Sequence, residues 1–381
     1  MKRIFVMITV LITLVLLPFP VQAAELKVAG KSAALMDVAT GTVLYEANSH
    51  ERLAPASVTK VMTMLLIMEA VDSGKIAMAD TVTASEAAAA KGGSQIYLKV
   101  GETMSVSDML KSIAVSSAND CACAMAEHIA GSEEAFVAQM NQKAAELGMQ
   151  DTHFVNCTGL DDGPDAQNHR TSAYDIALMS RELLVNHPDI KKYTTIWMDT
   201  VRNGTFGLSN TNKLIRFYPG ATGLKTGFTS GAGYCLSATA ERDGMELIAV
   251  VMGAESSDIR NTACKQLLDY GFANYALVSP MPEGEPSVEV KLGTAEQVRL
   301  VPGEMPKLLI DKGLKNSLTT EITLSEPVTA PVSPGQQLGR LTVWAGDQIL
   351  SQVPLVAETE VPRLSWGQLF SLVMKEISMG N

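Results

Sequence analysis

The run Ser57-Val58-Thr59-Lys60-Val61-Met62-Thr63-Met64-Leu65-Leu66-Ile67-Met68 constrains this 381-residue chain more than any other stretch. Its apolar residues continue to Val71, stop at Gly74 and fall on nearly every side of a helix. That pattern predicts a helix buried in the middle of a domain. Two reactive groups stand at its start. Residues three apart share a helical face, so Ser57 Oγ and the Lys60 amine can touch. A serine hydroxyl is a poor nucleophile until a neighbouring base takes its proton. Lysine serves as that base only when burial or a second cation holds it neutral. A buried helix is also a rigid place to hold a nucleophile.

Two further pieces follow in chain order. Ser117-Ala118-Asn119 lies in a small-residue stretch between two helical patterns. Lys225-Thr226-Gly227 lies on a strand that runs into the glycine-rich Phe228-Thr229-Ser230-Gly231-Ala232-Gly233-Tyr234. Alone, the first reads as a helix cap and the second as an exposed strand end. In sequence, S-x-x-K, S-x-N and K-T-G form the set shared by penicillin-binding proteins and class A β-lactamases. Gly93-Ser94-Gln95-Ile96-Tyr97-Leu98, Asp120 and Gly223-Leu224 extend the match. With them the chain resembles the low-molecular-weight penicillin-binding proteins, the serine-type D-alanyl-D-alanine carboxypeptidases of bacteria. The resemblance runs from about Ala33 to Tyr270 and continues more weakly beyond.

Gly223–Thr226, Tyr234–Ala240 and Met245–Met252 read as three strands, which with the helical patterns argue helices packed on an antiparallel sheet. Beyond Pro286, the β-branched runs Ser287–Leu292, Val298–Val301, Thr319–Leu324 and Leu341–Trp344 argue a small all-β domain, with a C-terminal amphipathic helix after it. The resemblance adds that the first domain is an α+β transpeptidase-like domain. It implies that Ser57 is the nucleophile and Lys60 the general base. Ser117 would relay a proton to the departing amine, and Asn119 would orient Lys60 and the substrate amide. Lys225, Thr226 and Gly227 would bind the terminal carboxylate, the Lys225 charge also disfavouring protonation of Lys60. The backbone N–H groups of Ser57 and Phe228 would form the oxyanion hole. Phe228 departs from the family pattern, where a polar residue often follows K-T-G. The implied partners are peptidoglycan stem peptides ending in D-Ala-D-Ala and, as covalent inhibitors, β-lactam antibiotics; no cofactor is needed.

Three other readings share these motifs. A class A β-lactamase uses a glutamate in the loop after S-x-N to activate its deacylating water; the loop from Leu160 to His169 offers Asp161, Asp162 and Asp165 instead. A penicillin sensor would acylate at Ser57 but calls for a signalling domain, and none is visible. A peptidase cutting cross-links between stem peptides differs from a carboxypeptidase by pocket width, which motifs do not report. His153 and His169 belong to no triad-type motif and read as structural or loop residues. No H-E-x-x-H or comparable cluster suggests a metal.

Length suggests two domains. Lys2 and Arg3, the apolar Ile4–Leu17 run and Val21-Gln22-Ala23 read as a secretory signal over residues 1–23, which makes the chain exported, to the cell wall or the outer face of the cytoplasmic membrane. Residues 24–278 form the expected catalytic domain, 279–286 a Pro- and Glu-rich linker, 287–360 the β-rich domain and 361–381 the amphipathic segment. Cleavage takes the net charge from −11 to about −13, and an acidic chain without a basic cluster is a poor binder of nucleic acid. Five cysteines (Cys121, Cys123, Cys157, Cys235, Cys264) are few for an exported chain and read as buried free thiols. Trp366, Leu369, Phe370, Val373, Met374 and Ile377 recur at helical spacing. Two settings fit that stripe: peripheral contact with a membrane, which the resemblance favours, or docking on the protein itself. Arg363, Lys375 and Glu376 supply little of the basic rim that holds anionic lipid.

Overall fold

The structure is a computed structural model that describes residues 26–304 and 307–379. The signal segment, residues 1–23, lies outside the described residues, as do the last two residues of the amphipathic segment. The first region is built on a five-stranded antiparallel sheet of β1 (Ser32–Asp37), β2 (Val43–Ala47), β3 (Ala221–Thr229), β4 (Gly233–Arg242) and β5 (Met245–Ala254), in the order β2-β1-β5-β4-β3. Period-two alternation sends neighbouring side chains to opposite faces. Leu35, Leu247, Ala249 and Val251 pack against the helix Ser257–Asn274 through Ala263, Cys264, Leu267 and Leu268. Met36, Ile248, Val250 and Met252 join a larger helical core on the other face.

That larger core surrounds α1 (Lys60–Asp72), every residue of which from Lys60 to Met68 is buried. Around it stand α2 (Val106–Ser116), α3 (Asn119–Ala130), α4 (Glu133–Glu146) and α5 (Ala173–Asn186); the helix beneath the sheet, Ser257–Asn274, is α6. Serine caps set several starts: Ser105, Ser132, Ser172 and Ser256 each accept the backbone N–H three residues on, satisfying donors that a helix leaves open.

The second region is a six-stranded sheet of β6 (Ser287–Lys291), β7 (Gln297–Pro302), β8 (Leu318–Leu324), β9 (Val328–Thr329), β10 (Gln337–Ala345) and β11 (Gln348–Ala357), in the order β8-β10-β11-β7-β6-β9. Its core includes Val288, Leu300, Leu341 and Leu355. A two-stranded pairing of Tyr275–Val278 with Leu308–Asp311 joins it to the end of α6. The chain closes with α7 (Trp366–Met379). Trp366 is 88% exposed, and Phe370, Val373 and Ile377 are exposed with it, so this stripe is not covered by the described parts of the protein.

Candidate active site

The nucleophile candidate sits on a single 3-10 turn, Ala56–Thr59, that feeds directly into α1. With three residues per turn, positions i and i+3 eclipse, and Lys60 Nζ lies 3.0 Å from Ser57 Oγ. Ala56 just before it holds a φ of +47°, a left-handed conformation that is uncommon for a residue with a Cβ.

Lys60 is fully buried. Burial lowers its pKa from 10.5 to about 7, against opposing effects of the Cys157 side chain and the Asp120 carboxylate. The amine also donates to the carbonyl of Thr158 at 2.7 Å. Thr158 is itself fixed: Asn156 Oδ1 accepts from the N–H groups of Thr158 and Gly159. Just upstream, Glu133 Oε1 accepts the N–H of Cys157, and Thr63 donates to the Cys157 carbonyl. Glu133 pairs with Lys91, next to Gly92, whose carbonyl accepts from Asn119 Nδ2 at 2.7 Å. One half-buried ion pair thus adjoins the backbone that meets Lys60 and the backbone that meets Asn119.

β3 brings the third piece. A Cβ added at Gly227 would stand 2.7 Å from Pro55 O and 3.0 Å from Val58 N, so glycine is what lets this strand lie against the serine-bearing turn. Thr226 donates to Thr211 at 2.7 Å, and Lys225 to the Thr226 carbonyl at 2.9 Å. Phe228 is 52% exposed and rests on Tyr234, their ring centroids 4.3 Å apart.

Several sequence expectations need adjusting to this geometry. Asn119 makes no hydrogen bond to Lys60; its Oδ1 is buried and unpartnered. Ser117 ends α2 in a left-handed conformation, φ +63°, and its hydroxyl makes no hydrogen bond to Lys60 or Lys225. Burial, rather than a neighbouring charge, is what lowers the pKa at Lys60. Repulsion is expressed at Lys225, whose pKa is lowered by burial first and then by Lys60 and Arg260. Asp161, Asp162 and Asp165 are exposed, and none reaches Ser57 or Lys60.

His169 is buried as a structural residue, bonding Thr59 Oγ1 and the N–H of Val155, and burial lowers its pKa to about 4. The five cysteines are buried and free. Among the described residues no cluster of His, Cys, Asp and Glu is arranged to hold a metal.

A model of the family described as D-alanyl-D-alanine carboxypeptidase matches residues 20–256. The chain belongs to the D-alanyl-D-alanine carboxypeptidase family. This is a family of serine hydrolases, and in this member a second match, to the C-terminal domain of penicillin-binding protein 5, spans residues 275–363. D-alanyl-D-alanine carboxypeptidase DacF of Bacillus subtilis is 44% identical over 379 residues, covering 95% of each chain. Penicillin-binding protein 5 of Haemophilus influenzae superposes with a TM-score of 0.73 at 30% identity, over 89% of this chain and 99% of that one. Penicillin-binding protein D2 of Listeria monocytogenes, solved in its ampicillin-bound form, superposes with a TM-score of 0.59 at 32% identity. It covers 65% of this chain and 99% of its own.

Within this carboxypeptidase fold, sequence reasoning missed four groups beside the motifs: the Thr158 carbonyl, Thr211, Glu133 and Arg260. Arg260 is 5% exposed and bonded to Asn261 Oδ1. Lys60, Lys225 and Arg260 form a buried group of basic side chains, Lys60 and Arg260 both helping to lower the pKa of Lys225, and none has a carboxylate within 4.0 Å among the described residues. Buried charges are ordinarily paired, so this group is suited to an anion supplied from outside.

Proposed function

We propose that the protein removes the terminal D-alanine from peptidoglycan stem peptides through an acyl-enzyme on Ser57. The contact between Ser57 Oγ and a buried Lys60 poised near neutrality carries this reading, because a general base works best with a pKa near the operating pH. Neutral Lys60 takes the Ser57 proton as Oγ attacks the carbonyl of the penultimate residue. The C–N bond then breaks, the proton passes to the leaving amine with Ser117 at hand, and water hydrolyses the ester. Lys225, Thr226 and Arg260 receive the terminal carboxylate, and Asn119 Oδ1 awaits the substrate amide N–H. The N–H groups of Ser57 and Phe228 stabilise the oxyanion, such donors being typically worth about 3–4 kcal/mol each. β-Lactams acylate the same serine.

D-alanine release from a short peptide ending in D-Ala-D-Ala, measured for the mature protein and Ser57→Ala, tests this. Release should vanish in the variant. Folded wild-type protein that forms a penicilloyl adduct yet releases no D-alanine would overturn the carboxypeptidase reading.

An activity on peptidoglycan calls for an extracytoplasmic position. No described helix is long and apolar enough to cross a membrane. We propose peripheral contact through the exposed stripe of α7. Vesicles should carry down the wild type and lose Phe370→Glu/Ile377→Glu; equal sedimentation would remove the idea.

A further inference from the structure

Although the protein is acidic overall, one part of its surface beside the catalytic cleft collects cations and amides. An open cavity of about 400 Å³ is lined by Arg52, His153, Gln167, Asn168 and Arg170, with no acidic residue in its wall. The cavity stands on a small antiparallel crossing in which Leu53 pairs with Thr171 and His153 with Arg170. Both guanidinium groups are tied to backbone carbonyls: Arg52 Nε donates to Asp151 O at 3.1 Å, and Arg170 Nη1 to His169 O at 3.0 Å. Neither has a carboxylate within 4.0 Å among the described residues, and the neighbouring Asp151 carboxylate is engaged by His50. Both arginines are thus held in place with donors to spare.

This cavity adjoins the reaction centre. Gln167 and Arg170 also line a second cleft of about 200 Å³, whose wall includes Ala56, Leu160, Thr229 and Gly231. Ala56 directly precedes Ser57, and Thr229 is the last residue of β3, two beyond Gly227. A peptide laid along β3 past the scissile bond therefore runs through this cleft and reaches Arg170. Asp161 is the one carboxylate in the cleft's wall; it opposes an anion there and leaves the outer cavity as the anion's place.

We propose that Arg52 and Arg170 form a second anionic subsite, which binds a carboxylate carried by the substrate upstream of the scissile bond. The inference rests on the carboxypeptidase reading above and adds what that reading leaves open, the chemistry preferred away from the reacting end. The guanidinium fork matches a carboxylate in two parallel hydrogen bonds, and Gln167 and Asn168 supply further donors at the rim.

Two soluble peptides ending in D-Ala-D-Ala, differing only in whether one upstream acidic residue bears a free carboxylate or a primary carboxamide, provide the test. The wild type should show a KM roughly fivefold lower for the carboxylate peptide, as partly exposed charge-assisted contacts allow, and added salt should narrow the gap. In Arg52→Gln/Arg170→Gln the two KM values should converge, with a thermal midpoint close to wild type. A wild type that does not discriminate, or a preference that survives the double substitution, overturns the subsite. If folded wild type cleaves neither peptide, the carboxypeptidase reading has failed on its own. The subsite is then judged by direct binding of the same peptides to Ser57→Ala protein with and without the two arginines. Equal affinities there would overturn it as well.

Discussion

Between Ser32 and Asn261 the protein buries Lys60, Lys225, Arg260, Asp37, Asp120 and Asp175, whereas beyond Tyr275 the one buried polar residue among those described is Thr342. The first region surrounds its charges with two hydrophobic cores, one on each face of its sheet. The second has a single small core and leaves an amphipathic helix in the open. Burying an unpaired charge destabilises a fold, and only a region with apolar packing to spare can retain several. The first region is therefore organised against its own stability at the place where the chemistry lies, while the second follows ordinary packing rules.

Removing the proposed base, the buried Lys60, should break this contrast most completely. Lys60→Met should lower the acylation rate by at least about 10³-fold while making the protein more stable. In the wild type the folded pKa of about 7 lies below the usual 10.5, so between these values the unfolded chain holds the extra proton. Stability accordingly falls as pH drops through that window, and the full cost, on the order of 5 kcal/mol, is present below about pH 7. Thermal midpoints of wild type and variant between pH 6 and pH 10 check this: the gain should be largest at the acid end. The same pKa makes wild-type acylation rise with pH through about 7 and level off above it, a profile that single-turnover penicillin binding measures.

Gly227→Ala should come next. The new Cβ meets Pro55 O and Val58 N, pushing β3 from the nucleophile turn. A displacement of about an ångström at reacting groups costs on the order of 10²-fold, so acylation should fall by about that factor while circular dichroism stays native. Glu133→Gln should have a smaller effect, about tenfold on the acylation rate, through looser support of the Thr158 carbonyl; an unchanged rate would show that Asn156 and Thr63 suffice. At the bottom of the scale, a chain ending at residue 286 should hydrolyse a soluble peptide within about twofold of the full protein, even with a lower thermal midpoint from lost packing. A large loss of activity would tie the two regions together more closely than their packing suggests.

What the sequence made legible follows the same division. The buried α1, the Ser57–Lys60 contact and the three long strands of the sheet were readable because period and spacing are local properties. The Thr158 carbonyl has no side-chain signature, and Glu133 and Arg260 look like ordinary helix charges until the chain folds. The stretch from Ile190 to Phe217 uses elements of four residues, such as Met198–Val201 and Phe206–Ser209, too short to show a period. In the second region β11 escaped notice although it is ten residues long: Pro354 interrupts it, and proline ordinarily argues against an interior strand. The α7 stripe was legible as amphipathic, but its exposure was a tertiary fact.

The buried basic group with no carboxylate in contact has a consequence for the time course of the reaction. With the terminal carboxylate bound as proposed at Lys225, Thr226 and Arg260, a stem peptide completes the charge balance on arrival, yet that carboxylate belongs to the residue that departs. Cleavage therefore carries that carboxylate away with the leaving residue and opens its place to water. A β-lactam behaves differently: its ring opens, but the carboxylate stays tethered to the acyl group. The counter-ion cannot leave, the pocket remains neutralised and the entry of water is obstructed. The difference between a substrate and an inhibitor of this protein then lies less in how each one reacts than in what each takes away.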